Sequence, residues 1–435
     1  MELERVRTTE AANHVGERVR LAGWLHTLRR LGGINFLLVR DGWGLFQAVL
    51  ETPEQMAPLA GCQVESVIEV EGRVVAEPQA PGGAELRDCQ VQVITPVTEP
   101  LPFAINKREL KVGLDTFLDH ATVGLRHPAR RALFRLASGV MAGFREFLRS
   151  EGFTEVQTPK IVGSATEGGA NVFRIDYFGR PAYLAQSPQL YKQIMVGVFE
   201  RVFEVGPVFR AEPHSTARHT NEYVSLDVEF GFIRDHTTVM ALLNRLLAAI
   251  IAWLGEHHAS DLALLNLTLP TVPAEIPRLH FTQAQQLILD RYGVDVRGEP
   301  DLSPQDERWV AEWARERHGS DFVFVTGYPM SKRPFYTHPD PADPRYSNSF
   351  DLIFRGVEIV TGGQRLHRYA DYLAALEARG MSPQPFAGYL EAFRHGMPPH
   401  GGFAIGLERF IAQLAGLSNL REATLFPRDM ERLAP

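Results

Sequence analysis

Apolar and polar residues alternate through most of residues 18–98, and this two-residue period constrains the fold more than any other feature of the chain. The runs RVRLAGWLHTL, INFLLVRDGWGLFQAVLE, SVIEVEGRVVAE and AELRDCQVQVIT read as strands with one face turned inward. RDGWG and APGGAE supply turns between them. Four or five short strands within roughly 80 residues predict a small closed barrel.

A barrel of this size with nucleic-acid-binding potential is most often an OB-fold. It cannot be the whole protein, because 435 residues exceed what one ordinary core organises. The proline-containing PVTEPLP closes the barrel, giving an expected OB-fold unit over 1–100 and a hinge over 101–130. Beyond Pro128, ARRALFRLASGVMAGFREFLRSEGF has helical periodicity, with Leu133, Leu136, Val140, Phe144, Phe147 and Leu148 on one face. The strand-like runs VFEVGPVFRAE, YVSLDVEFGFI, DFVFVTGYP and SNSFDLIFRGVEIVTGG follow, without regular βαβ spacing. That mixture predicts an α+β catalytic domain over 131–435.

The formal net charge of −7 restricts any nucleic-acid contact to local patches. Cys62 and Cys89 form no CxxC pair, which disfavours a zinc site or disulfide framework and fits a reducing cytosol. MELERVRTTE is charged from its second residue, unlike a secretory signal. The apolar run from Val239 carries Asn244 and Arg245 and reads as a core helix rather than a membrane span. The expectation is a cytoplasmic protein without membrane contact.

Three distant segments combine arginine, acid and glycine. FRAEPHSTARHTNEYVSLDVEF offers Arg210, Glu212, Arg218, His219, Tyr223, Asp227 and Glu229, either a polyphosphate grip built on guanidinium forks or a salt-bridged surface hairpin. GVEIVTGGQRLH offers Glu358 and Thr361, either oxygen ligands for magnesium or half of an ion pair. GGFAIGLERF places Gly401, Gly402, Gly406 and Arg409 at a helix start, where phosphate is attracted. QSPQLYKQ, with Gln189, Lys192 and Gln193, reads on its own as a wet helix face.

Together these segments resemble the signature motifs of class II aminoacyl-tRNA synthetases. GFTEVQTPKI with Pro159 is similar to the dimer-forming first motif, FRAE with RHTNEY to the second, and GLERF to the third, in the family's order. The preceding barrel resembles the aspartate, asparagine and lysine subgroup. ATEGGA, QSPQLYKQ, RPFY, EIVTGGQRLH and MPPHGG resemble the compact archaeal and eukaryotic-type aspartyl enzymes. The resemblance implies an antiparallel sheet flanked by helices, a homodimer, and ATP with Mg2+.

It also implies roles. Arg210 would bridge the ATP α-phosphate and the amino-acid carboxylate, Glu212 would meet the adenine amino group, and Tyr223 would stack on adenine. Arg218, His219, Thr220, Glu358, Gly406 and Arg409 would complete the ATP site, while Glu358 would also hold the metal together with Thr361. Glu167, Gln189, Lys192, Arg210, Thr361 and Arg365 would bind aspartate, with Lys192 and Arg365 facing its side-chain carboxylate. Such a site leaves cations unpaired when an amide binds. Asparaginyl relatives replace SPQLYKQ with a SGQLYLE-like sequence. Phe36 and Gln47 match anticodon-stacking and base-edge positions, and Arg29 and Glu85 match further anticodon contacts. His26 in GWLH and Pro78 in AEPQ resemble relatives relaxed in tRNA choice, implying aspartylation of both tRNA(Asp) and tRNA(Asn) and a downstream amidotransferase. The alternatives are a strict aspartyl enzyme, an asparaginyl enzyme, a catalytically dead paralogue and a barrel-less asparagine synthetase. Lys192 disfavours the asparaginyl enzyme, the retained motif arginines disfavour the dead paralogue, and residues 1–100 disfavour the asparagine synthetase.

Overall fold

The computed structural model describes residues 3–163, 171–213 and 216–434. The chain forms two compact units, Met1–His127 and Pro128–Pro435. The first holds β1 (Arg18–Leu31), β2 (Ile34–Arg40), β3 (Leu45–Leu50), β4 (Val67–Ala76) and β5 (Ala84–Thr95), closed in the order β1-β2-β3-β5-β4. The alternation seen in sequence becomes an interior of Val19, Leu21, Leu37, Val39, Ile68, Val70 and Leu86. Strand crossing demands glycine at position 23, where a Cβ would lie 2.2 Å from the Arg40 carbonyl oxygen. Helix α1 (Pro53–Met56) is started by a Thr52–Gln55 capping box.

Residues 101–127, expected as part of a hinge, are built into this first unit. They carry α2 (Leu114–Asp119) and α3 (Ala121–Gly124). Asn106 Nδ2 donates to the His26 carbonyl at 3.1 Å, and Arg126 reaches Glu65 at 3.4 Å.

The second unit opens with α4 (Pro128–Ser150), whose expected apolar face is buried except for the half-buried Phe147. An eight-stranded sheet follows: β6 (Thr154–Glu155), β10 (Arg201–Phe209), β11 (Glu222–Gly231), β12 (Arg278–His280), β13 (Phe322–Thr326), β14 (Ser349–Phe354), β15 (Val357–Gln364) and β16 (His400–Gly406). Its order is β12-β13-β14-β15-β16-β11-β10-β6, antiparallel except at β12–β13 and β6–β10. Strands β7 (Ile161–Val162), β8 (Arg174–Tyr177) and β9 (Arg180–Leu184) make a small separate sheet.

Helices α4 and α6 (His236–His257) share one core with the large sheet. The apolar run within α6 is therefore core, with Leu243, Leu246 and Leu247 fully buried. Each such leucine contributes about 2 kcal/mol of transfer free energy. The remaining helices are α5 (Gln189–Phe199), α7 (Ala259–Leu264), α8 (Phe281–Tyr292), α9 (Pro304–His318), α10 (Tyr369–Glu377), α11 (Ala387–Arg394) and α12 (Leu407–Ala415).

Candidate active site

Strands β10 and β11 are an in-register antiparallel pair, so the polar loop between them returns over the sheet. Asn221 closes the base of that loop. Its side-chain amide donates to the carbonyls of Arg210 at 2.7 Å and Glu212 at 3.3 Å, and its carbonyl accepts from Arg210 N. Arg210, Glu212, Arg218, His219, Thr220 and Tyr223 then line one cleft with Glu358 and Thr361 of β15, Gly406, and Arg409 of α12. All nine residues the resemblance assigns to ATP meet there.

The Arg210 guanidinium lies 5.5 Å from the Tyr223 ring centroid and 3.8 Å from Glu212. Arg218 stands 3.6 Å from Glu307, and Arg409 donates to the Glu358 carbonyl at 3.3 Å. These separations exceed those of tight charge-assisted hydrogen bonds, so both arginines keep much of their attraction for phosphate.

Across the β14–β15 pairing, Asp351 stands opposite Thr361. Thr361 Oγ1 donates to Glu358 Oε1 at 2.8 Å, and Arg333 donates to Asp351 Oδ2 at 3.0 Å. Asp351 Oδ1 is buried with no hydrogen-bond partner, an oxygen suited to a hard cation. Burial, reinforced by Glu358, pushes the Asp351 carboxyl up to about 6. Burial and Glu358 likewise push Glu307 up to about 7. Among the described residues no three His, Cys, Asp or Glu side chains close a protein-only metal cage. The donors fit a magnesium ion whose shell is completed by substrate phosphates.

QSPQLYKQ is not a wet helix face. Helix α5 turns Gln189, Lys192 and Gln193 inward, and Lys192 is 2% exposed. Lys192 Nζ lies 3.0 Å from Asp227 Oδ1 and 3.3 Å from Glu229 Oε2. Arg365 Nε donates to Glu229 Oε1 at 2.9 Å, and its Nη2 reaches Gln189 Oε1 at 3.4 Å and the Gly402 carbonyl at 3.1 Å. The two expected cations thus share one carboxylate. Burial alone would raise Glu229, but Arg365 and Lys192 hold it below the ordinary carboxylate range. Gly402 makes the approach possible, since a Cβ there would sit 2.3 Å from Glu229 Oε2. Two cations and two carboxylates balance in this set, and their mutual contacts fix the orientation of both cations. Thr361, assigned to both aspartate and metal, lines the cleft with Arg210, Arg218 and Arg409. Glu167 lies outside the described residues.

In the first unit, Arg29 pairs with Phe36 across β1–β2, and Leu38 with Gln47 across β2–β3. Gln47 Nε2 donates to Glu85 Oε2 at 2.8 Å, and Arg87 Nε donates to Glu85 Oε1 at 2.7 Å. The first of these bonds spends one Gln47 N–H on the protein. Pro78 is exposed beyond the end of β4. His26 is 7% exposed, at the irregularity between Leu25 and Thr27 where the register of β1 shifts.

Sequence reasoning missed Asp351, Glu307 and Glu408, and gave Asp227 and Glu229 no role. A charged residue inside the otherwise apolar SFDLIF was the available signal for Asp351. Glu408 accepts from Val224 N at 3.0 and 3.1 Å, and burial raises its carboxyl to about 7. Its folded value exceeds the unfolded one, so its stabilising contribution is fully present at low pH and is lost as pH rises through about 7. Glu408→Gln keeps an acceptor for Val224 and is expected to stabilise the fold by roughly 1–3 kcal/mol at pH 8.5 and little at pH 5. Chemical denaturation at the two pH values measures this; equal effects at both would contradict it.

A cleft of convergent arginines on an antiparallel sheet in one unit, and a closed five-stranded barrel in the other, fit a nucleotide-using enzyme that carries an oligonucleotide-binding unit. Residues 113–430 match the family described as tRNA synthetases class II (D, K and N), and residues 19–100 match the OB-fold nucleic acid binding domain. The chain belongs to the class II tRNA synthetases of this D, K and N group. It is 50% identical over its full length to the "Aspartate--tRNA(Asp/Asn) ligase" of Deinococcus radiodurans, covering 99% of that protein. It is 49% identical to the protein of the same name from Thermus thermophilus, over 99% of this chain and 100% of that one. Among solved structures, it resembles asparaginyl-tRNA synthetase from Pyrococcus horikoshii complexed with asparaginyl-adenylate, with a TM-score of 0.92, 33% identity and full coverage of both chains.

Proposed function

We infer that this protein attaches L-aspartate to tRNA in two steps through an aspartyl-adenylate. The observation that carries this reading over an asparaginyl one is the buried Lys192–Glu229–Arg365 set, which offers two cations to a side-chain carboxylate. Full-length similarity to the two Asp/Asn ligases supports it.

Arg210 holds the aspartate α-carboxylate against the α-phosphorus of ATP, while Tyr223 and Glu212 seat the adenine. The carboxylate oxygen attacks phosphorus in line, the bond to the bridging oxygen breaks, and pyrophosphate leaves. The terminal ribose hydroxyl of tRNA then attacks the adenylate carbonyl and releases AMP. Positioning and charge neutralisation supply most of the acceleration. Magnesium, held by Glu358, Thr361 and Asp351, would neutralise phosphate charge. Arg218, His219 and Arg409 hold the outer phosphates. Glu167 meets the substrate ammonium in this reading.

Phe36, Gln47, Arg29 and Glu85 read the anticodon, and His26 with Pro78 relaxes the choice so that both tRNA(Asp) and tRNA(Asn) are charged. An amidotransferase would then convert the mischarged product. A cytoplasmic homodimer, formed through the segment around Pro159, completes the proposal. Amino-acid-dependent exchange of pyrophosphate into ATP tests the first step. Exchange should respond to aspartate and scarcely to asparagine; a preference for asparagine would overturn the reading.

A further inference from the structure

Behind the aspartate set lies a buried polar network that the reaction as derived above does not use. Gln193 is completely buried, and both ends of its amide are occupied. Its Oε1 accepts from Gln189 Nε2 at 3.0 Å and faces the Tyr389 hydroxyl at 3.0 Å, whose one proton is shared between Gln193 and the Tyr372 hydroxyl 2.8 Å away. Its Nε2 donates to the Tyr372 hydroxyl at 3.0 Å and to His400 Nε2 at 2.9 Å. His400 Nδ1 donates to the Pro398 carbonyl at 2.9 Å, so the imidazole carries its proton there and Nε2 is an acceptor. The Tyr372 hydroxyl donates to the Leu366 carbonyl at 2.9 Å, and Arg365 N donates to the His400 carbonyl at 2.9 Å.

These bonds have a direction. Turning the Gln193 amide over would set its NH2 against that of Gln189 and its oxygen against the His400 lone pair. With Gln193 fixed, Gln189 must spend its N–H on Gln193 and point its carbonyl toward Arg365 Nη2. We propose that Gln193, anchored by Tyr372, Tyr389 and His400, is a positioning residue for aspartate recognition, setting the Gln189 carbonyl that orients the Arg365 guanidinium. This rests on the aspartate reading above.

The network adds no charge to the site. Burial drives His400 down to about 4 against the pull of Glu229, with Arg365 and His367 also disfavouring its protonation. The Gln193 amide of α5 meets its Nε2, and the hydroxyls of Tyr372 on α10 and Tyr389 on α11 join the network through Gln193. A carboxylate at position 193 donates nothing to Tyr372 or His400 and places a negative charge behind Arg365. Acidification removes that charge by protonating the carboxylate, or offsets it by protonating His400.

The test uses the full chain, with KM values from aspartate-dependent pyrophosphate exchange between pH 6 and 8.5. Gln193→Glu is expected to raise the aspartate KM about tenfold or more at pH 8.5, and to relax to within about threefold of the unmodified protein at pH 6. The ATP KM should not move. Tyr389→Phe, which removes one hydroxyl, should raise the aspartate KM about threefold without a pH trend. If Gln193→Glu does not fold, Tyr389→Phe decides. An unchanged aspartate KM, or a rise matched by that of ATP, would overturn the positioning role. An unmodified protein lacking aspartate-dependent exchange would instead remove the functional reading.

Discussion

Arg210→Ala should reduce aspartate-dependent pyrophosphate exchange about 100- to 1000-fold while leaving the thermal unfolding midpoint nearly unchanged. The side chain is 39% exposed in the cleft, so its removal opens no core cavity. Its proposed work is done at two developing centres, the α-phosphate and the attacking carboxylate. A preorganised guanidinium there costs no reorganisation when the bond forms. Steady-state exchange and a thermal melt on the same preparation separate rate from folding. Near-normal exchange would contradict the role.

Lys192→Leu should have an effect of different character. Lys192, Asp227 and Glu229 are all buried, and removing the lysine takes the paired cation from Asp227 and leaves Glu229 with Arg365 alone. Breaking such a buried pair costs about 3–5 kcal/mol, and a drop in melting temperature on the order of 5–10 °C is expected for a unit of this size. Aspartate activation should be lost as well, because the remaining charge repels a third carboxylate. The double variant Lys192→Leu with Asp227→Asn separates the two effects. It should regain much of the stability without regaining aspartate activation. If Lys192→Leu alone activates aspartate with normal preference over asparagine, the lysine is not part of the recognition wall.

The barrel was legible because its strands keep a two-residue period, and α4 because its apolar positions recur at helical spacing. Residues 101–127 were harder: α2 and α3 span six and four residues, too short to display a helical period amid prolines and charges. Motif residues lining the phosphate cleft were legible through their resemblance to a family, not through local pattern. What the sequence concealed was the pairing behind them. Lys192 meets Asp227 across 35 positions, and Arg365 meets Glu229 across 136. Such contacts are set by sheet register and by glycine at position 402, which no local window reveals. The octapeptide containing Lys192 looked wet for that reason, since its counterions lie on a strand that arrives later in the chain.

Aspartate should be transferred to tRNA, and to two tRNAs rather than one. Aspartylation of separately transcribed tRNA(Asp) and tRNA(Asn), followed with labelled aspartate under identical conditions, tests it most directly. Both should be charged to a substantial plateau, and labelled asparagine should be transferred to neither. Charging of tRNA(Asp) alone would contradict the relaxed anticodon reading carried by His26 and Pro78. Transfer of asparagine in place of aspartate would contradict the whole assignment.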